Sequence, residues 1–337
     1  MLWTIIITAA ISLIISGALG FIFIPILRKL KFGQTILDIG PIWHKKDKQG
    51  TPTMGGIMFI IGITVAFAAG LGVGSATGLI SFEQTELMNL INAVSGLIMA
   101  LLFGFIGFLD DFIKVKKKQN EGLTANQKII LQILVIAAYF TVRILSGDTS
   151  TVINIPFLGT LDLWYFYYVI MGLAILYLVN AVNLTDGVDG LCTSVTFVYS
   201  IVFIIITAML NATGLTVLAA ATAGGCLGFL IWNFNPAKVF MGDTGSMFFG
   251  GIVVALGIGA NAEVLMVIAA AVYIWEALTV LIQTCYFKAT HGKRLFKMTP
   301  IHHSFEIRGW KEVKIVIVFS LIGAAAGTVA VLLANAL

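Results

Sequence analysis

Two aspartates stand side by side at Asp110-Asp111, where an apolar run over residues 92–109 ends, and Lys114, Lys116, Lys117 and Lys118 follow at once. The chain has only 16 acidic residues in 337, so a doublet is conspicuous. Carboxylates backed by lysines bring a divalent cation and phosphates together, because oxygens hold a hard cation and ammonium groups neutralise phosphate. Adjacent helical positions point about 100° apart, so the two carboxylates should do different jobs on the border of one cavity. Acids closing a helix also oppose its dipole, an unfavourable local choice that marks function.

Three further segments carry polar groups in patterns with chemical meaning. In residues 180–191, Asn180, Asn183, Asp186 and Asp189 recur every third position, and two Asp-Gly steps break the helix where it leaves the apolar stretch. That spacing puts four side-chain oxygens on one helical or turn-like face, which suits a hard cation or a polar ligand. In residues 233–246, Asp243 lies between glycines at the start of a helix, either as a cap or as a cation ligand beside bound phosphate. Phe240 is the side chain there that can stack on a flat base. Around Thr51-Pro-Thr-Met-Gly-Gly56, with Lys45, Lys46 and Lys48 just before it, exposed amides could hold an anion. A plain loop-to-helix turn beside a solvated basic flank accounts for the same residues.

Composition fixes the elements that must position these groups. With 59% hydrophobic and 11% charged residues, against about a quarter charged in a soluble globule, the chain is an all-α polytopic membrane protein. Ten apolar spans are expected near 3–27, 54–74, 87–109, 127–147, 163–182, 194–211, 217–235, 245–260, 264–287 and 313–335, each near the roughly 20 residues that cross a hydrocarbon core. The first lacks a charged leader and cleavage site and reads as a retained helix. A small hairpin is expected within residues 146–161, and one integral membrane domain over 1–337. Cys192, Cys226 and Cys285 are isolated, without metal spacing, and read as buried inert thiols.

The basic residues orient the bundle. With the N-terminus outside, all 20 Lys and Arg except Arg143 fall on the cytoplasmic side, as the positive-inside rule requires. Both termini then face out, and the four polar segments face the cytoplasm. The acids of the outer connections, Glu83, Glu86, Asp148, Asp162 and Glu263, sit in segments without recognisable chemistry.

TPTMGG, FLDDFIK, NLTDGVDGL, VFMGDTGS and TPIHHSFE occur in this order between about Lys48 and Glu306. Together they resemble the phospho-N-acetylmuramoyl-pentapeptide transferases, a branch of the polyprenyl-phosphate N-acetylhexosamine-1-phosphate transferase superfamily. One departure stands out: the family has three consecutive histidines, whereas His302-His303 is followed here by Ser304. The resemblance implies a Mg²⁺-dependent transfer of phospho-MurNAc-pentapeptide from UDP-MurNAc-pentapeptide to undecaprenyl phosphate, giving lipid I and UMP in a bacterial cytoplasmic membrane. It implies a homodimer and no nucleic-acid partner. By the same resemblance, Asp110, Asp111, Asp243, His302 and His303 form the catalytic set. Asp243 is the Mg²⁺ ligand, with Asp111 beside it, and Asp110 orients or deprotonates the lipid phosphate. Lys48, Thr53, Asn183, Asp186, Gly187, Asp189, Phe240 and Ser246 bind substrate, with Phe240 on the uracil, and Lys114 and Lys128 carry phosphate charge.

The physical problem agrees with that set. Two phosphate groups near −2 repel by about 16 kcal/mol at ~4 Å and an effective dielectric of about 20. A cation and lysines must neutralise them before positioning can work. Direct attack and a two-step route through a phosphorylated Asp111 are both open. GlcNAc-1-phosphate transfer is the neighbouring activity; a secondary transporter would place its ionisable groups near the midplane. Only Glu276 lies that deep, on the long span expected to bend as the wall of a lipid groove.

Overall fold

Every expected span is a helix. The structure, a computed structural model, describes residues 1–30, 48, 50–79, 84–117, 119 and 121–336. Lys31, Lys45, Lys46 and Lys118, assigned above to the cytoplasmic side, lie outside the described residues, as does Glu83. The helices are α1 (Leu2–Lys29), α2 (Gly56–Ala76), α3 (Gln84–Lys117), α4 (Ala125–Leu145), α5 (Phe166–Thr185), α6 (Leu191–Met209), α7 (Thr213–Asn233) and α8 (Gly242–Gly259). They continue as α9 (Glu263–Ala269), α10 (Ala271–Ala289), α11 (Ile301–Ile307) and α12 (Glu312–Ala334). Among the described residues nine are long and apolar enough to cross a membrane, and α9 with α10 meets the same test only as a bent pair. Two short antiparallel strands, β1 (Val152–Ile155) and β2 (Gly159–Asp162), form the expected hairpin, in register Val152 to Asp162.

The polytopic helical class is therefore as composition requires, while two spans differ in shape. The third runs two turns beyond residue 109, to Lys117. Asp110 and Asp111 are thus inside α3, not at its end, and the dipole reading fails because that effect is confined to the last turn. Lys114, Lys116 and Lys117 occupy the last turn, where cations are favoured. The ninth span is bent by 72° between α9 and α10, as expected of the long segment that carries Glu276.

Helix α8 is the axis of the molecule. All its residues from Thr244 to Gly259 are buried, and α3, α5 and α2 pack around it. Outer helices turn large apolar side chains such as Trp3, Phe21, Leu134, Leu173 and Leu321 outward, the pattern of a lipid-facing surface. Cys192 and Cys226 are buried; Cys285 is exposed on α10, which corrects its reading as an interior thiol.

The end of the bundle bearing the hairpin has its own polar network. Asp148 accepts from Arg143 Nε at 3.1 Å, from Arg143 Nη2 and from Asn92 Nδ2, and Arg143 Nη2 also reaches Asn261 Oδ1 at 3.0 Å. Nearby, Tyr167 donates to Glu263 at 2.7 Å. These residues come from four helices and two loops. The outer acids Asp148 and Glu263 therefore have a structural role that spacing alone did not reveal. Asn92 and Asp110 lie 18 positions apart on α3, or about 27 Å, so this network and the acid doublet mark opposite ends of the bundle.

Candidate active site

The acid cluster exists because α3 and α8 can touch. One turn before the doublet, a side chain at Gly107 would collide with the Asp243 carbonyl, so only glycine lets the two backbones meet. With that approach, one carboxylate oxygen from each of Asp110, Asp111 and Asp243 falls within 4.8 Å of the others.

The two adjacent aspartates do separate jobs, as their angular offset predicts. Asp111 turns to the start of α8, where its Oδ2 accepts the Thr244 N–H at 2.9 Å and the Thr244 hydroxyl at 2.7 Å. It supplies, from another helix, the cap that α8 lacks from its own N-cap residue. Asp243 is consequently not the cap, and its carboxylate faces the cluster. Asp110 is fully buried and its Oδ1 accepts the Leu123 N–H at 2.7 Å. That bond ties the connection between α3 and α4 to the doublet.

Two lysines converge on the same carboxylates. Lys114, one turn beyond Asp110, pairs with it and reaches Asp243 at 3.1 Å. Lys128 reaches Asp243 at 2.8 Å and Asp110 at 3.1 Å. Its placement follows from local sequence: Thr124 and Gln127 form a reciprocal capping box that starts α4 and fixes the first turn.

The third-position row splits once α5 ends. Asn180 turns to Gln132 of α4, with its amide 3.0 Å from that side chain, and takes no part in the cluster. Asn183 donates to Asp243 Oδ1 at 3.0 Å and to Ser246 at 2.8 Å. Asp186 closes α5, and its carboxyl is pushed up to about 8, by burial first and then by Asp243, Asp111 and Asp189. Asp189 pairs with Lys48 at 2.7 Å and accepts the Ala237 N–H at 2.9 Å. A regular helix would hold all four on one face; the break after Thr185 sends the last two elsewhere.

The remaining candidates line the same end. Phe240 is half-buried, its N–H on the Pro52 carbonyl and its carbonyl accepting from Gly55, each at 2.8 Å, so the TPTMGG turn and the Phe240 turn are laced together. Thr53 is buried and packs against Gly242. A Cβ at Gly187 would run into the His302 ring, so the first Asp-Gly step is what lets this loop meet the histidines. His302 is buried with its Nδ1 3.1 Å from Glu276, and His303 Nδ1 lies 2.6 Å from Glu306. Glu276 is thus no isolated midplane acid; it joins α10 to the histidine turn. Ser304 donates to the Met298 carbonyl at 2.6 Å and accepts its N–H at 3.1 Å, so the departing residue closes the turn before α11. Sequence reasoning missed Thr244, Leu123 and Glu312; the T-x-x-Q cap at Thr124 was the one local signal available.

A bundle of membrane-length apolar helices with a carboxylate and lysine cluster at one end describes an integral-membrane transferase. The glycosyl transferase family 4 model matches residues 93–261, and signature 1 of the phospho-N-acetylmuramoyl-pentapeptide-transferases matches residues 48–60. The chain is 47% identical to the phospho-N-acetylmuramoyl-pentapeptide-transferase of Clostridioides difficile over 317 residues, 94% of this chain and 93% of that one. It is 45% identical to the protein of that name from Acetivibrio thermocellus, covering 92% of this chain and 89% of that one. For the Bacillus cytotoxicus protein the identity is 42%, with 94% of each covered. The chain therefore belongs to the phospho-N-acetylmuramoyl-pentapeptide-transferase family.

Proposed function

We propose that this chain transfers phospho-MurNAc-pentapeptide from UDP-MurNAc-pentapeptide to undecaprenyl phosphate, giving lipid I and UMP, from the cytoplasmic side of a bacterial membrane. One observation carries the site assignment. Asp243 receives Lys114, Lys128 and Asn183 while lying within reach of Asp110 and Asp111. Three carboxylates, two ammonium groups and an amide then converge where a nucleotide diphosphate and a lipid phosphate must meet.

The donor set fits a hard divalent cation. Three carboxylates against two lysines leave a net negative charge, and both described bonds of Asp111 engage Oδ2, leaving Oδ1 to offer. Asp243 and Asp111 would hold Mg²⁺, which when bound neutralises the diphosphate oxygens. The chain's own groups do the rest. Lys114 and Lys128 offset phosphate charge, and both can pass from carboxylates to phosphate oxygens over a short distance. Asp110, buried behind them, orients the attacking phosphate through the same lysines. Phe240 offers its ring to the base, and Asn183 fixes Asp243. His302 and His303 border the loop that carries Asp186 and Asp189.

The test is UMP release by purified protein supplied with UDP-MurNAc-pentapeptide, undecaprenyl phosphate and Mg²⁺. Formation of a lipid-linked muramoyl product, abolished in Asp243→Asn, is expected. Turnover with UDP-GlcNAc alone would move the chain to the neighbouring activity, and turnover with neither donor would remove the reading.

A further inference from the structure

The last helix begins with a carboxylate that the reaction as described does not use. Glu312 opens α12, where the helix dipole favours an acid. Its Oε2 accepts from Lys48 Nζ at 2.8 Å and from the Asp189 N–H at 2.9 Å. Lys48 Nζ simultaneously reaches Asp189 Oδ1 at 2.7 Å. The other Asp189 oxygen accepts from Ala237 N–H at 2.9 Å and from Asn235 Nδ2 at 3.4 Å. The Asp189 carboxylate thus gathers Lys48 and residues 235–237, and Glu312 in turn holds Lys48 and the Asp189 backbone. Phe240 follows three residues after Ala237, and its backbone is laced to Pro52 and Gly55.

We propose that Glu312 is a positioning residue for the nucleotide half of the site, clasping Lys48 and the Asp189 loop so that the Phe240 turn is held in place. The inference rests on the transfer reaction proposed above. It separates the lysines by task. Lys114 and Lys128 stand over the acid cluster and meet phosphate; Lys48 is already neutralised by two carboxylates and is only 11% exposed at its side chain. Burial alone would lower the Lys48 pKa, but Glu312 and Asp189 outweigh it and the net shift is upward, so the ammonium stays charged as the bridge.

Two roles for Glu312 predict opposite signs. If it merely masked Lys48, removing its charge would free a cation and tighten an anionic nucleotide. If it positions the loop, its removal leaves the Asp189 N–H and Lys48 each short of a partner, and nucleotide binding weakens. The double acceptance at Oε2 favours the second.

The experiment is steady-state UMP release by Glu312→Gln, Lys48→Met and the double variant, with each substrate varied in turn. The expected result is a KM for UDP-MurNAc-pentapeptide raised about tenfold in Glu312→Gln, the scale of one hydrogen bond to a charged group. kcat and the KM for undecaprenyl phosphate should stay close to wild type. In the Lys48→Met background, Glu312→Gln should add little, because the clasp is already open. Calorimetric titration of UMP alone should show the same weakening without turnover. A lowered nucleotide KM, a pure loss of kcat, or fully additive effects would overturn the assignment. Wild-type protein without product from the muramoyl donor would instead remove the underlying reaction, so the two failures read differently.

Discussion

At the scale of single residues, Asp186 is the group whose proton a bound cation would displace. Its carboxyl is raised from 3.8 to about 8, by burial first and then by three neighbouring acids, so it is largely protonated at neutral pH. The folded-state value lies above the unfolded one, so its contribution to stability is full below 3.8 and is lost as pH rises through about 8. A divalent cation among Asp110, Asp111 and Asp243 offsets the negative charge that raises it and drives its proton off. Apparent Mg²⁺ affinity should therefore rise with pH up to about 8 and level off above it, by at most about tenfold per pH unit. Calorimetry in buffers of differing ionisation enthalpy would show the released proton. In Asp186→Asn the pH slope should flatten while binding itself survives, and an unchanged slope would assign the proton elsewhere. Glu276 makes a second, simpler case: it lies buried beside His302, its Oε2 3.1 Å from Nδ1, while Nε2 is the ring nitrogen nearest the Gly187 loop. Glu276→Gln should lower kcat more than it weakens nucleotide binding. Unchanged turnover would reduce the pair to packing.

At the scale of elements, the site depends on how closely α3 meets α8. Gly107→Val places methyl groups against the Asp243 carbonyl and the Thr244 amide. Overpacking of this kind costs about 1–3 kcal/mol and moves the backbone. The helices must separate, Asp111 then loses Thr244, and the three carboxylates no longer converge. Turnover should fall at least tenfold, on the scale of one lost charged hydrogen bond. Gly72→Ala, at a position with open space around it, should leave turnover intact and serves as the control. The approach of α3 to α8 was hidden in the sequence, although its consequence, the FLDD and MGD motifs, was plain. Span number and approximate limits were legible because each apolar run must satisfy its own backbone hydrogen bonds in lipid. The end of α3 was not, since Lys114, Lys116 and Lys117 look like solvent-side loop residues until Asp110 and Asp243 give two of the chain's lysines partners. The row from Asn180 to Asp189 misled for a related reason: periodicity assumes a continuous helix, and Asp186 ends it. Partners such as Thr244 and Glu312 depend on contacts more than a hundred positions away, which no local pattern encodes.

At the scale of the whole molecule, the two polar ends of the bundle differ in chemistry, and this fixes which side of the membrane each should occupy. The hairpin end holds buried Arg143 bonded to Asp148 and Asn261, and buried Glu263 bonded to Tyr167, with Phe157 exposed at the turn. The opposite end holds the acid cluster with Lys114 and Lys128 upon it and Lys48 beside Asp189, and Lys116 is exposed in the last turn of α3. A charged nucleotide substrate cannot cross the hydrocarbon core, so the lysine-rich end should meet the cytoplasm, as the positive-inside rule independently requires. Cysteine labelling separates the possibilities. Cys192 and Cys226 are buried, so replacing the exposed Cys285 by serine gives a quiet background. In intact cells, a membrane-impermeant maleimide should modify Phe157→Cys and leave Lys116→Cys untouched. Permeabilised cells should label both. The reverse pattern would invert the bundle and place the site beyond reach of a cytoplasmic nucleotide sugar, whereas labelling of both in sealed cells would mean that one of the two ends is not at a membrane face at all.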